Sequence, residues 1–389
     1  MGKKNIYDFY DVDSLLTEEE KLIRDLVREF TEKEVKPKIS MYYEKGEFPV
    51  ELIKKMAEMG LLGGNIKGYG CSGLNNVAYG LVMQELEAGD SGLRSFVSVQ
   101  SALVMFPIYE FGSEEQKEYY LPKLAKGELI GCFGLTEHDV GSNPSAIKTT
   151  AKRKGDRWIL NGTKMWITNG TLADIAIIWA KNEDKIIEGF IVDTHSKGFK
   201  GHPIKGKLSL RASDTAELIL EDVEVPESQR LPKTSGLKSA LSCLSQARYG
   251  IAWGAVGAAL DCFKTALSYS KIREQFDKPI ASFQLTQEKL VYMLTEITKA
   301  QLLCLQLGRL KDKNQCDFAQ ISLAKRNNVD MALKIARLAR EILAANGILL
   351  DYPVFRHMVN LESVKTYEGS HEIHTLILGE YITEIPAFK

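Results

Sequence analysis

The sequence predicts an α+β protein, mainly α, in three consecutive zones: an N-terminal helical domain (1–128), a small middle β domain (129–235) and a C-terminal helical domain (236–389). Three observations carry this reading. A capping box, Thr17-Glu18-Glu19-Glu20, opens a run with Leu22, Ile23, Leu26, Val27 and Phe30 at helical spacing. Short apolar or alternating runs separated by Asn-Gly and Lys-Gly turns fill the middle. Long amphipathic segments near 240–270, 284–311 and 317–346 fill the end, each longer than the mean helix of about 11–12 residues.

Taken in order, the first helix is expected to stop at Pro37, which lacks a backbone donor. Gly60 to Gly73 reads as a glycine-rich connection, and helical patterning resumes over Asn76–Glu87 and Arg94–Phe111. The strand candidates include Trp158-Ile159-Leu160, Ile175–Trp179, Phe190-Ile191-Val192 and Glu217–Leu220. The long C-terminal helices suit a bundle that packs on the N-terminal helices and also forms an oligomer interface. There is no internal repeat and no low-complexity tract.

The chain has 389 residues, 44% of them hydrophobic, enough for a large core in two or three domains. A net charge of −1 gives no electrostatic case for nucleic acid, although a local basic groove for nucleotide phosphates remains compatible with it. The six cysteines are widely spaced without a Cys-x-x-Cys, which reads as reduced core thiols. The start, Met1-Gly2-Lys3-Lys4-Asn5, is polar rather than a signal core, and no apolar run approaches the roughly 20 residues of a membrane span. A soluble protein is expected, cytoplasmic in a bacterial setting or in the mitochondrial matrix after loss of a presequence, without membrane insertion.

The most informative segment is Thr366-Tyr367-Glu368-Gly369-Ser370-His371-Glu372, just before a final apolar helix. Read alone, Glu368 is a solvated helix-start charge. Desolvated by Tyr367 and Val364, with Gly369 allowing close approach of a ligand, it becomes a candidate general base. A metal site competes, because His371 and His374 sit three residues apart beside Glu368 and Glu372. The spacing is not His-Glu-x-x-His and no further ligand cluster is evident, so no metal is expected. Leu135-Thr136-Glu137 followed by Gly141-Ser142 reads as a strand end and a glycine turn, and Trp166-Ile167-Thr168 as a strand carrying an indole. Arg94 lies in an apolar helix start (Leu93, Phe96, Val97), where a guanidinium needs an anion. That anion is either Glu87, seven residues back across a break expected at Gly92, or a ligand carboxylate held in a bidentate fork.

In this order, with Arg248-Tyr249-Gly250 and Arg273-Glu274-Gln275-Phe276, these motifs resemble the acyl-CoA dehydrogenase family of flavoenzymes over about residues 17–380. Arg94-Ser95, Ser98-Val99-Gln100-Ser101, Gly131–Glu137, Leu208–Ser213 and Ala247–Gly254 resemble its glutaryl-CoA dehydrogenase branch. The resemblance implies an FAD-dependent α,β-dehydrogenation of glutaryl-CoA, with decarboxylation to crotonyl-CoA and CO2 in lysine and tryptophan degradation. It implies Glu368 as base and Tyr367 beside it as the residue kept by decarboxylating members. It also implies Glu87, Arg94, Ser95, Ser142, Arg248 and Gly369 as substrate contacts. Flavin contacts are implied for Phe133, Leu135, Thr136, Gly141, Ser142, Trp166, Ile167, Thr168, Ser370 and Glu372. Arg273 and Gln284 are implied to reach the flavin pyrophosphate and adenylate of a neighbouring subunit, and Phe276, Ala345 and Gly347 to contact the cofactor. A homotetramer and an electron-transferring flavoprotein as acceptor follow from the same resemblance.

Departures from the family pattern are Val140 and Asn143 around Gly141-Ser142, and Ala344-Ala345-Asn346-Gly347 in place of Gly-Gly-x-Gly. Leu93, Phe96 and Val97 depart from the aromatic–small pattern around the arginine. The alternatives are a non-decarboxylating glutaryl-CoA dehydrogenase, a short-chain monocarboxylic acyl-CoA dehydrogenase, an acyl-CoA oxidase, and, outside enzymes, a silent flavin-binding interaction protein.

Overall fold

The computed structural model describes residues 5–387, so the polar start Met1–Lys4 lies outside the described residues. Helix α1 (Glu18–Phe30) opens with the expected capping box: Thr17 Oγ1 accepts from the Glu20 N–H at 3.3 Å and Glu20 Oε2 from the Thr17 N–H at 2.9 Å. Pro37 does not end this helix. The chain runs on through a π-helical turn, Thr31–Val35, into α2 (Lys36–Lys45), with Pro37 in its first turn. The widened turn accommodates the missing donor and the proline ring. The device recurs at Val99–Met105, a π turn followed by α6 (Phe106–Phe111) with Pro107 in its first turn. Between these lie α3 (Leu52–Glu58), α4 (Asn76–Gly89) and α5 (Ser91–Ser98); α7 (Glu114–Ala125) follows.

The expected break between Glu87 and Arg94 falls at Asp90, in extended conformation (φ −165°, ψ 143°), not at Gly92. Gly92 sits inside α5 because a Cβ there would lie 2.4 Å from the Ala212 carbonyl oxygen. Asp90 is fully buried and joins two elements. Its Oδ1 caps α5 through the Gly92 N–H (2.7 Å), and its Oδ2 accepts from Arg356 Nη1 (2.5 Å) and Asn360 Nδ2 (3.0 Å).

The middle zone is one seven-stranded sheet: β1 (Gly131–Gly134), β2 (Thr150–Lys154), β3 (Arg157–Thr168), β4 (Ile175–Lys181), β5 (Ile187–Asp193), β6 (Phe199–Pro203) and β7 (Thr215–Pro226). Its order is β1-β4-β2-β3-β7-β6, with β5 also paired to β4. The β1–β4 pair is parallel (Gly131 opposite Ile175), and the long β3–β7 pair is antiparallel with a register shift between Lys164 and Ile167. Alternating burial in β3 and β7 marks a sheet with one covered face.

Helix α8 (Leu237–Ile272) then crosses the molecule; its 36 residues span roughly 54 Å. It packs on α4 and on α10 (Phe318–Leu343); α9 (Gln284–Asp312), α11 (Pro353–Thr366) and α12 (His371–Thr383) complete the bundle. The two helical zones share one apolar core, in which Val27, Phe30 and Leu86 meet Val256, Ala259 and Ile335. They are also tied by charge: Arg309 of α9 binds the buried Glu20 carboxylate through both terminal nitrogens, at 2.5 and 2.8 Å.

Asp90→Ala would strip the α5 cap and leave the buried Arg356 guanidinium without its carboxylate. The expected loss is about 3–5 kcal/mol, read as a lower denaturation midpoint, whereas Asp90→Asn should lose less because it keeps a capping oxygen.

Candidate active site

Glu368 sits where α11 ends and before α12 begins. Its backbone is left-handed (φ 52°), a conformation that a residue with a side chain disfavours, and Gly369 follows at φ 93°. Three contacts hold this kink. Arg248 Nε of α8 donates to the Glu368 carbonyl at 2.7 Å. Lys325 Nζ of α10 donates to the Tyr367 and Gly369 carbonyls at 2.7 and 2.6 Å. Ser370 caps α12 by accepting from the Ile373 N–H at 3.3 Å. A Cβ on Gly369 would lie 2.8 Å from His374 Nε2 and 3.2 Å from an Arg248 nitrogen, so only glycine fits.

The Glu368 carboxylate points into a dry place. Its Oε2 is shut off from water and has no hydrogen-bond partner. Burial raises its pKa above the usual carboxylate range, against the pull of Arg94, Lys325 and Arg248. The neighbouring His374 is buried, with both ring nitrogens unpartnered, and burial pulls its pKa down to about 3, so it stays neutral.

Arg94 enters from α5. Its Nε donates to Glu87 Oε2 at 2.6 Å, with both side chains fully buried, and Ser91 Oγ donates to the other Glu87 oxygen at 2.8 Å. Gly254 of α8 gives this pair room, since a Cβ there would lie 1.9 Å from Glu87 Oε2. Arg94 Nη2 donates to the Tyr367 hydroxyl, which also lies 3.1 Å from Ser95 Oγ. Burial pushes Tyr367 up to about 12, so its hydroxyl keeps its proton. The remaining nitrogen, Arg94 Nη1, is buried and unpartnered, as are Tyr79 Oη and Ser98 Oγ. Glu87, Arg94, Ser95, Arg248, Tyr367, Glu368 and Gly369 are thus linked in one constellation, with unsatisfied polar atoms on both the base and the guanidinium.

A second face lies on the sheet. The Met165 N–H donates to the Thr136 carbonyl at 2.9 Å, bringing Phe133, Leu135 and Thr136 beside Trp166, Ile167 and Thr168. The β3 register shift turns Trp166 into a left-handed conformation (φ 63°) with its side chain 59% exposed. Lys164 Nζ, fully buried, ties the Leu135 carbonyl (3.2 Å) to Glu137 Oε1 (2.9 Å), which makes Glu137 structural. Among the described residues the hydroxyls of Thr136, Ser142 and Thr168 have no protein partner, and Gly141 has open space where a Cβ would stand. An exposed indole, free hydroxyls and open backbone suit a planar, hydrogen-bonding heterocycle. Val140 is buried in the core beneath this turn, so its bulk is turned away from the face. Asn143 accepts from Ser145 at 2.5 Å. Gln100 anchors β1 to the segment after α5 through the Gly131 N–H (2.9 Å) and the Leu129 carbonyl (2.9 Å), which couples this face to the Arg94 helix.

Arg273, Phe276, Gln284, Ala345 and Gly347 are not brought there. They lie by the far end of α8, where the Arg273 N–H bonds the Tyr269 carbonyl and Asn346 Nδ2 bonds the Tyr269 hydroxyl. Arg248 and Arg273 are 25 residues apart on this element, roughly 37 Å. Phe276 is 86% exposed, Arg273 and Gln284 are exposed, and the small ladder Glu274–Gln275/Lys278–Pro279 projects them outward. Glu372 is exposed in the first turn of α12. Sequence reasoning missed Lys325 and Tyr79, and quoted Ser98 only as part of a motif, without a role. Lys325 was detectable as a lysine in phase with the buried Ile321, Ala324, Asn328 and Ala332 of α10. No group of three or more His, Cys, Asp or Glu among the described residues is placed to hold a metal ion, and no helix there is long and apolar enough to cross a membrane.

The structure thus holds a carboxylate with one oxygen shut off from water, facing the cations Arg94, Arg248 and Lys325, and, on the sheet, an open face carrying an exposed indole. Comparison with known proteins gives the family. The N-terminal, middle and C-terminal domains of acyl-CoA dehydrogenase match residues 17–128, 132–223 and 234–383. A glutaryl-CoA dehydrogenase from Mycobacterium smegmatis, solved in complex with FADH2, superposes with a TM-score of 0.97 at 52% identity, covering 99% of each chain. A probable acyl-CoA dehydrogenase of Bacillus subtilis is 37% identical over 94% of this chain and 98% of its own. The human mitochondrial short-chain specific acyl-CoA dehydrogenase is 33% identical over 94% of this chain and 90% of its own. The chain belongs to the acyl-CoA dehydrogenase family.

Ala344, small as the family's glycine, carries a positive φ of 50° with ψ −125°, a region that is strained by about 1–3 kcal/mol for a residue with a Cβ. Ala344→Gly is expected to raise the melting temperature; an unchanged or lower value would refute stored strain at this turn.

Proposed function

We propose that this protein is an FAD-dependent glutaryl-CoA dehydrogenase that also decarboxylates, giving crotonyl-CoA and CO2. The observation that carries this is the buried, unpartnered Arg94 Nη1 in one constellation with the unpartnered Glu368 oxygen. An open guanidinium nitrogen in a dry pocket calls for an anion, and a five-carbon dicarboxylyl thioester brings one at the far end of its acyl chain. The likeness to the mycobacterial enzyme supports the same reading.

A flavin bound on the Thr136–Trp166 face supplies a two-electron acceptor for the hydride from C3. Thr136, Ser142, Trp166 and Thr168 would hold it. Glu368 takes the C2 proton; its raised pKa makes it a stronger base than a solvated carboxylate. The Glu368 N–H, without a backbone acceptor of its own, is the donor we assign to the thioester oxygen as enolate charge develops there. Arg94 and Ser95 hold the distal carboxylate, and the protonated Tyr367 hydroxyl lies between them. Loss of CO2 leaves its electron pair delocalised toward the thioester, and the proton now on Glu368 returns to the distal carbon.

The separation of the Arg273–Gln284 patch from the Trp166 face supports an oligomer in which each site is completed by a neighbouring copy. Exposed Ile272, Phe276 and Leu285 support the same reading, and we assign a homotetramer with an electron-transferring flavoprotein as acceptor. The bacterial relative supports a cytoplasmic location. One observation favours a second reading: Glu87 already neutralises Arg94, as a short-chain monocarboxylic dehydrogenase requires.

Anaerobic mixing of flavin-loaded protein with glutaryl-CoA or butyryl-CoA separates these. Bleaching by glutaryl-CoA with crotonyl-CoA formed is expected; glutaconyl-CoA alone would remove the decarboxylation, and bleaching by butyryl-CoA alone would establish the second reading. Arg94→Ala is expected to lower kcat/KM for glutaryl-CoA by about 2–5 kcal/mol and for butyryl-CoA far less; equal losses would count against it. Because the base must be ionised, kcat/KM should fall as pH drops through an apparent pKa above the ordinary glutamate value of about 4.3, and Glu368→Gln should abolish turnover.

A further inference from the structure

Lys325 is a buried cation with no carboxylate within ion-pairing distance among the described residues. Its ammonium is satisfied only by two backbone carbonyls, those of Tyr367 and Gly369, which flank Glu368 on either side. Burying an ammonium without an anion is costly, and a packed apolar residue would serve α10 better if stability were all that mattered. The segment it grips is the one with consecutive positive φ values, 52° at Glu368 and 93° at Gly369.

We propose that Lys325 is a positioning residue for proton abstraction: by clamping the carbonyls on both sides of Glu368 it holds that residue in its left-handed conformation and fixes where its carboxylate points. This rests on the reading of Glu368 as the base. Arg248 cannot substitute alone, because it holds only the peptide after Glu368, through the Glu368 carbonyl, whereas Lys325 holds the peptide before Glu368 and the one after Gly369.

The clamp is electrostatic as well as steric. Arg94 from α5, Arg248 from α8, Lys325 from α10, Tyr79 and Glu87 from α4, the adjacent Tyr367 and the neutral His374 from α12 are the titratable groups around Glu368. Three are cations favouring the ionised base. Burial pulls Lys325 down to about 7 against the attraction of Glu368, so it carries its proton at acid pH. Removing it leaves Glu368 to take up a proton at higher pH.

The test uses the full-length, flavin-loaded protein with Lys325→Met, which keeps the stem and removes charge and donors. The expected result is a roughly 100-fold loss in kcat with KM for glutaryl-CoA changed less than about threefold. The acid limb of kcat/KM should move up by about one pH unit, and amide hydrogen exchange over residues 367–371 should quicken without a fall in flavin content. Unchanged kcat, limb and exchange would overturn the proposal. So would a fall in melting temperature and flavin content with kcat and KM declining together, the mark of a purely structural residue. If Lys325→Met does not fold, Lys325→Gln is read by the same limb: an upward shift supports the clamp and an unshifted limb overturns it. If wild-type protein turns over no acyl-CoA, the proposed function fails. The exchange measurement then decides Lys325 alone, with quickened exchange at 367–371 in its favour and unchanged exchange against it.

Discussion

A carboxylate with one oxygen shut off from water, in a backbone conformation its own side chain disfavours, is the constraint around which this molecule is arranged. Neither burial nor the left-handed turn is stable by itself. Both persist because four helices converge on Glu368: α8 brings Arg248, α10 brings Lys325, α5 brings Arg94 and α12 begins at the Ser370 cap. These helices come from both ends of the sequence, so this placement of Glu368 exists only when the N-terminal and C-terminal zones share a core. Helix α8 makes that possible, since its glycines and alanines let α4 approach closely enough for Gly254 to accommodate Glu87.

The same logic explains polar groups that lie away from the reacting centre. Asp90 joins the start of α5 to Arg356 and Asn360 of α11, the helix that ends two residues before Glu368. One buried carboxylate therefore sets both the helix carrying Arg94 and the helix leading to Glu368. In the sheet, Lys164 and Glu137 perform the corresponding task under the Thr136 turn, and Gln100 joins sheet and helix. Orientation of the site is thus carried by a few desolvated polar links, each costly to break, while the apolar core fixes only the approximate placement of the elements.

The three-zone order, the long C-terminal helices and the capping box were legible in the sequence because each depends on local pattern: period, cap and turn residues. The motif around Glu368 was legible because aromatic, carboxylate and glycine are adjacent. Pro37 misled because proline chemistry alone does not reveal that a π turn will absorb it. The break at Asp90 was misplaced by two residues because Gly92 is small for a tertiary reason, the nearby Ala212 carbonyl. Ala344 looked harmless by size, and its φ emerges only from the fold. Lys325 and Tyr79 were missed because their partners are more than forty residues away or are unfilled atoms, which no local pattern encodes.

Charge balance around the base gives the last step. Arg94, Arg248 and Lys325 are cations facing two carboxylates, Glu87 and Glu368, and His374 is held neutral among them. The constellation therefore carries one uncompensated positive charge while Glu368 is ionised. A monocarboxylic acyl chain leaves that charge standing in a dry pocket. A distal carboxylate cancels it, and does so beside Arg94 Nη1, the guanidinium nitrogen left without a partner. When Glu368 takes the proton the balance turns positive again, which favours negative charge building on the thioester oxygen. In the proposed decarboxylation CO2 would leave as a neutral molecule, so its electron pair would stay behind as a dienolate and the pocket's net charge would not change; the negative charge would pass to Glu368 when that residue gives its proton back. On this account the excess cation is the feature by which the proposed dicarboxylyl chain would be preferred over a monocarboxylic one.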